Sequence, residues 1–258
     1  MRKIIIYSFM IFTILMASSS SYAKAPLTME EFVAHGGGRV GSISSTNSLE
    51  ALNYSYSKGF KFFEIDFEWT SDKELVLIHD WKECLNRLFH TEPKVCSLKE
   101  FKSLKMADGL TQMDLKDLAG WIISHTDAHI ITDIKSNNME GLTKIAEEYP
   151  DLKSYFIPQI YKYEEYDKVK KLGFGNIILT LYVMNYPDKE VMDFLISHKV
   201  SALTMWHYRA NQDFVGSLKK MGVFIYAHTV NDPKIEERLK DTGVDGFYTD
   251  FLGPGIRQ

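Results

Sequence analysis

Short apolar runs recur along the chain: "EFVAHGG", "KFFEIDFEW", "ELVLIHD", "AHIITDI", "SYFIPQI", "NIILTLYV", "SALTMW" and "VFIYAHTV". Each has the length and β-rich composition of a buried strand. Between most of them lie segments with helical spacing of apolar positions, among them "TNSLEALNYSYSKG", "NMEGLTKIAEEYP", "YEEYDKVKKLG", "PDKEVMDFLISHK" and "NQDFVGSLKKMG". The ends agree with this pattern. Asn47 with Glu50 three residues on predicts a helix start, and Gly59, Gly173 and Gly222 stand where helices should stop. Eight strands alternating with helices over roughly 235 residues predict an α/β fold, a TIM (β/α)8 barrel, usually about 250 residues long. A doubly wound open sheet would carry a phosphate loop after its first strand, and "HGGGRVG" matches neither the dinucleotide nor the P-loop pattern. No linker or low-complexity tract interrupts the chain from residue 24, so residues 24–258 are expected to form one domain.

One connection breaks the alternation. Only "TSDKE" separates "EIDFEW" from "LVLIHD", too few residues for a parallel crossover, so the second and third strands are expected to form a hairpin. A turn centred on Ser71 to Glu74 sets Thr70 opposite Leu75 and Asp66 opposite His79. Glu64, two residues from Asp66, shares its face.

Composition narrows the class. The 258 residues are 45% hydrophobic and 25% charged, with a formal net charge of −4 and no basic run; nothing suggests a nucleic-acid partner, and no protein partner is evident. The N-terminus differs from the rest. "MRK", the apolar "IIIYSFMIFTILM" and the small-residue "ASSSSYA" form the three parts of a signal peptide, with cleavage expected after Ala23. Its apolar run is shorter than the ~20 residues of a spanning helix, so a periplasmic or secreted protein without a membrane span is expected. Export makes Cys84 and Cys96, the only two cysteines, informative: in an oxidising compartment such a pair is expected to close a loop, worth about 3 kcal/mol. Two free buried thiols are the other arrangement.

The acids then need an explanation. Carboxylates on one buried face repel and raise one another's pKa unless a cation intervenes. Glu64 and Asp66 suit a hard divalent cation, Ca²⁺ or Mg²⁺, and Asp133 in "IITDIK" offers a third carboxylate. Lys135, two residues on, points the same way, and a lysine beside a metal site implies an anion. His35 and His79 each end an apolar run, where barrel active-site residues sit. An isolated E-x-D is more often a solvated strand face; two histidines, three acids and a lysine at strand ends form a catalytic set. Glu68 falls beyond the cluster, near the strand end.

These residues and their order resemble the glycerophosphodiester phosphodiesterase family, within the phospholipase C-like phosphodiesterases. The family's "HRG…ENTLEA" is similar to "AHGG…TNSLEA" here; its "GA-x-x-IE-x-D-V…T-x-DG…V-x-x-HD" to "GFKFFEIDFEWTSDKELVLIHD"; its "EIK" to "DIK"; its "WTVN" and "GVDGIITD" to "HTVN" and "GVDGFYTD". The resemblance implies hydrolysis of small or lipid-derived glycerophosphodiesters to glycerol 3-phosphate and an alcohol. It also implies a divalent metal on Glu64, Asp66 and Asp133, acid/base chemistry by His35 and His79, and charge stabilisation by Lys135.

Three departures fall at pocket positions. The family arginine after the first histidine is Gly36 or Gly37, leaving Arg39 as a substitute; the glutamate before Asn47 is Thr46; the late tryptophan is His228. The missing arginine, the "DIK" and a cysteine pair after the second histidine also resemble sphingomyelinase D-like phospholipases, whose C-terminal "D-N-P-W" is not found. An inactive phosphodiester-binding barrel is the third reading. Trp81, Tyr182, Trp206 and His207 at strand ends are candidates to line the substrate pocket, with Arg39 and His228.

Overall fold

The computed structural model describes residues 27–254, so the expected signal peptide lies outside the described residues. Eight parallel strands form the barrel: β1 (Phe32–Ala34), β2 (Phe62–Trp69), β3 (His129–Ile134), β4 (Phe156–Ile160), β5 (Ile178–Thr180), β6 (Ala202–Trp206), β7 (Phe224–His228) and β8 (Gly246–Thr249). Sequential neighbours pair in parallel, and β1 pairs with both β2 and β8, which closes the sheet on itself. Outside it run α1 (Leu49–Ser57) after β1, and α2 (Glu83–Phe89), α3 (Leu98–Ser103) and α4 (Leu115–Ser124) between β2 and β3. One helix then follows each strand from β3 to β7: α5 (Asn138–Glu148), α6 (Tyr166–Lys171), α7 (Asp188–Ser197), α8 (Gln212–Lys220) and α9 (Pro233–Thr242). Among the described residues no helix is long and apolar enough to cross a membrane.

The barrel interior is layered by the two-residue period of its strands. Val33, Phe62, Ile131, Ile157, Ile178, Ala202, Tyr226 and Tyr248, one from each strand, form a single buried cluster. Full burial of each large side chain there contributes about 2 kcal/mol, which makes this ring a rigid floor. Two residues further along each strand the inward positions turn polar: His35, Glu64, Asp133, Gln159, Thr180, Thr204, His228 and Asp250. A separate apolar layer, including Phe63, Ile65, Ile130 and Leu203, packs the outer strand faces against the helices.

Five local expectations are corrected. "ELVLIHD" is not a barrel strand; Gly246–Thr249 supplies the eighth. The hairpin after β2 exists, but its return strand is only Leu75–Val76, with Trp69 opposite Leu75 and Glu68 opposite Val76. Thr70 closes the loop, accepting from Glu74 N at 2.8 Å on its Oγ1, and this places the register one residue from that expected. Beyond Val76 the chain turns to Met113 and Asp114, so no ladder carries His79 to Asp66.

At the start of α1 the N-cap is Ser48, whose Oγ accepts from Ala51 N, while Asn47 turns inward and Glu50 binds Thr111 instead. Gly59, Gly173 and Gly222 do follow α1, α6 and α8 in left-handed conformation. The expected disulfide is not formed. Cys84 and Cys96 are free thiols buried in the satellite core around α2 and α3, the former 3.9 Å from Asp80 Oδ2 and the latter 3.8 Å from Lys94 O. Each packs there as a small apolar side chain.

Candidate active site

The period of β2 and β3 brings the acids together. Glu64, Asp66 and Asp133 are 1%, 1% and 6% exposed, and Asp66 stands opposite Asp133 in the parallel ladder. One oxygen from each lies within 4.8 Å of the others. Lys135 Nζ sits 2.6 Å from Asp66 Oδ1 and 2.8 Å from Asp133 Oδ2. Burial disfavours its charge, but Asp66 and Asp133 more than compensate and raise its pKa.

Each acid also has a neutral partner. Gly36 N donates to Glu64 Oε2 at 2.8 Å from a left-handed turn (φ 53°) packed onto Ser45, where an added Cβ would meet Ser45 Cα at 2.6 Å. Asn47 Nδ2 donates to Asp66 Oδ2 at 2.8 Å, and Asn47 Oδ1 accepts from Asp66 N at 3.0 Å. Tyr161 Oη donates to Asp133 Oδ1, and Tyr182 Oη to Asp133 Oδ2 at 3.2 Å. Even so, burial and the adjacent Asp66 push Glu64 up to about 8. Asp66 goes the other way: burial would raise it, but Lys135, His79 and His35 hold it low.

Two histidines stand over this cluster. His35 Nδ1 donates to Asp250 Oδ1 at 2.8 Å, and Asp250 is itself fixed by Ser45 Oγ at 3.0 Å and Asn231 Nδ2 at 2.6 Å. Burial lowers the His35 pKa, but the Asp250 hydrogen bond and the charges of Glu64, Asp250 and Asp66 outweigh it, to about 9. His79 Nδ1 lies 3.0 Å from Asp80 Oδ2, while Asp80 Oδ1 accepts from Lys82 N and Glu83 N at the start of α2. Asp80 therefore orients His79 and anchors the loop together. No hydrogen bond or ion pair joins His79 to the three acids among the described residues; its influence on Asp66 and on the half-buried Glu68 is electrostatic.

The aromatic candidates divide. His228 meets His35 edge-on at 4.8 Å and stacks on Tyr182 at 4.9 Å, with Trp206 5.1 Å away. Burial, with His35 and Lys135 nearby, holds His228 well below the usual histidine range. His207 follows Trp206, and its Nδ1 is buried without a partner. Trp81 packs edge-on against Phe101 and donates to Trp69 O, as part of the satellite core. Arg39 does not join the acids: its Nε donates to Gly41 O at 2.9 Å and its guanidinium lies over Phe251.

A family model described as the glycerophosphoryl diester phosphodiesterase family matches residues 35–253. The chain belongs to that family. It is accordingly a phosphoric diester hydrolase. YhdW of Bacillus subtilis (strain 168), a protein named for glycerophosphodiester phosphodiesterase activity, is 22% identical over 244 residues, covering 85% of this chain and 93% of its own. The fold matches a glycerophosphodiester phosphodiesterase of Thermotoga maritima (TM-score 0.66, 21% identity, 87% of this chain and 96% of that one). It also matches an Oleispira antarctica phosphodiesterase solved with sn-glycerol-3-phosphate (TM-score 0.70, 21% identity, 88% and 94%).

The residues of this phosphodiesterase fit the metal its family generally uses. Three buried carboxylates give an all-oxygen donor set for a hard divalent cation. Asp66 Oδ1, despite the nearby lysine, accepts no hydrogen bond of good geometry. The residues that sequence reasoning missed are the supporting ones, Asp250, Tyr161 and the inward-turned Asn47. A signal existed for Asp250, which follows the apolar "GFYT" at a strand end much as Asp133 follows "HIIT".

Proposed function

We propose that the mature chain, residues 24–258, is an exported enzyme that hydrolyses glycerophosphodiesters to glycerol 3-phosphate and a free alcohol. The observation that carries this reading is the buried group of Glu64, Asp66 and Asp133 with Lys135 among them and two carboxylate-oriented histidines beside it. The product seen in the Oleispira antarctica phosphodiesterase supports the same substrate class. Export to the periplasm or medium rests on the tripartite N-terminal pattern of residues 1–23.

Glu64, Asp66 and Asp133 would hold Ca²⁺ or Mg²⁺, which supplies positive charge to the phosphate oxygens. Lys135 adds charge to the same oxygens, and such preorganised stabilisation is usually the largest contribution to catalysis. His35 and His79 share the proton work. One takes the proton from the attacking oxygen, of water or a neighbouring glycerol hydroxyl; the other protonates the departing alkoxide as its bond to phosphorus breaks. Each transfer is typically worth ~10²–10⁴-fold. With Nδ1 engaged by Asp250, His35 keeps Nε2 for this exchange.

The direct test is purified protein with Ca²⁺ or Mg²⁺ offered glycerophosphocholine, lysophosphatidylcholine and sphingomyelin. Metal-dependent release of glycerol 3-phosphate is expected. Choline or ceramide phosphate as the only product, without glycerol 3-phosphate, would replace this reading with a phospholipase D-like one.

A further inference from the structure

One cavity borders the acid cluster at Asp133 and Lys135, and a second shares Tyr182 and Val183 with it. The first, about 720 Å³, has charged and polar side chains in its wall, among them Asp133, Lys135, Asn138, Tyr161 and Lys162. Asn138 is 8% exposed; its Nδ2 donates to Gln159 O at 3.1 Å, and its Oδ1 has no partner. An unpaired buried acceptor is costly until a donor reaches it, and a glycerol hydroxyl is such a donor.

The second cavity, about 640 Å³, differs in the side chains of its wall. Tyr182, Tyr186, Trp206 and Tyr208 supply its rings. Trp206 and Tyr208 lie within 12° of parallel at 6.1 Å, and Tyr182 is tilted 52° to Trp206 at 5.4 Å. Its one carboxylate, Asp188, is already held by Arg209 at 2.8 Å, so the cavity carries no free charge of either sign. Tyr208 and Val183 stand at its mouth 73% and 57% exposed, two of the most exposed large apolar residues described.

We propose that this aromatic cavity seats the leaving alcohol and selects one bearing a quaternary ammonium group, with the glycerol moiety on the Asn138 side. The inference rests on the glycerophosphodiesterase reading and adds the alcohol to it. Tyr182 links the parts: its ring lines the cavity while its hydroxyl donates to Asp133. Aromatic faces attract a cation by their quadrupole, most strongly when water is excluded. A quaternary ammonium has no N–H to satisfy, so it loses nothing here. A primary ammonium would need an acceptor, and Asp188 is taken.

Calorimetric titration of the whole protein with choline and with its uncharged carbon isostere, dimethylbutanol, separates cation–π attraction from apolar contact. Choline is expected to bind about tenfold more tightly. Tyr208→Ala, at an exposed position where folding is not at stake, should erase most of that difference, and Trp206→Phe should keep more of it. In turnover, Tyr208→Ala should lower the kcat/KM ratio of glycerophosphocholine over glycerophosphoglycerol severalfold. Equal binding of choline and its isostere, or an unchanged ratio, overturns the subsite. If choline outbinds the isostere but neither diester is hydrolysed, the reaction reading fails and the ammonium site stands.

Discussion

His35 and Asp250 lie 215 residues apart in the chain, and their side chains meet at 2.8 Å just past the ends of two adjacent barrel strands. The carboxylate fixes which ring nitrogen carries the proton and stabilises the charged imidazole. Asp250→Asn keeps the shape and removes the charge. It should lower the His35 pKa, read by proton NMR of the ring, and reduce kcat by about 10–100-fold, part of the usual acid/base contribution.

Glu64→Gln and His79→Ala test the two halves of the site separately. Glu64→Gln should abolish metal-dependent turnover while leaving a folded barrel by circular dichroism, since the amide preserves volume. His79 is 55% exposed at its side chain, so His79→Ala should cost little stability and at least ~10²-fold in kcat. Retention of most of kcat by either variant would sink the assignment.

Proton linkage gives a third test, in the metal-free protein. His35 is raised from 6.5 to about 9 and Glu64 from 4.5 to about 8. Both groups therefore bind protons more tightly in the folded state, and their contribution is complete below the unfolded values. It is lost as pH rises through the folded ones. Thermal melts in chelator should fall in Tm from about pH 5 to pH 9. Saturating Ca²⁺ or Mg²⁺ should flatten the decline, and calorimetry in two buffers at pH 7 should show protons released on metal binding.

Asp133 receives hydroxyls from both Tyr161 and Tyr182. Groups that orient a metal ligand typically change affinity by ~10–100-fold when removed. Tyr161→Phe is expected to weaken Mg²⁺ binding by about tenfold, and Tyr182→Phe, with its longer contact, by less. Isothermal titration of both variants checks the order; equal affinities to the parent protein would leave the tyrosines as packing alone.

Much of this site was legible before folding was known, because a strand's period of two is local. "FEIDFEW" places Glu64, Asp66 and Glu68 on one face whatever surrounds it, and "TDIK" does the same for Asp133 and Lys135. The apolar floor below them followed the same parity. The alternation of strands and helices, with its barrel implication, is also a property of successive segments.

Other features depended on distant parts of the chain. Register after β2 was set by the Thr70 hydroxyl on Glu74 N, a side-chain contact that residue counting does not contain. Whether Cys84 and Cys96 pair depends on how α2 and α3 pack. Closure of β8 onto β1 delivered Asp250 to His35, and the order of β2, β3, β4 and β5 brought Tyr161 and Tyr182 to Asp133. The sequence by itself determined which side chains face inward and their chemistry; only the closed barrel decided which of them touch. Strand parity follows from backbone geometry one residue at a time, whereas neighbours across a barrel are chosen by packing of the whole chain.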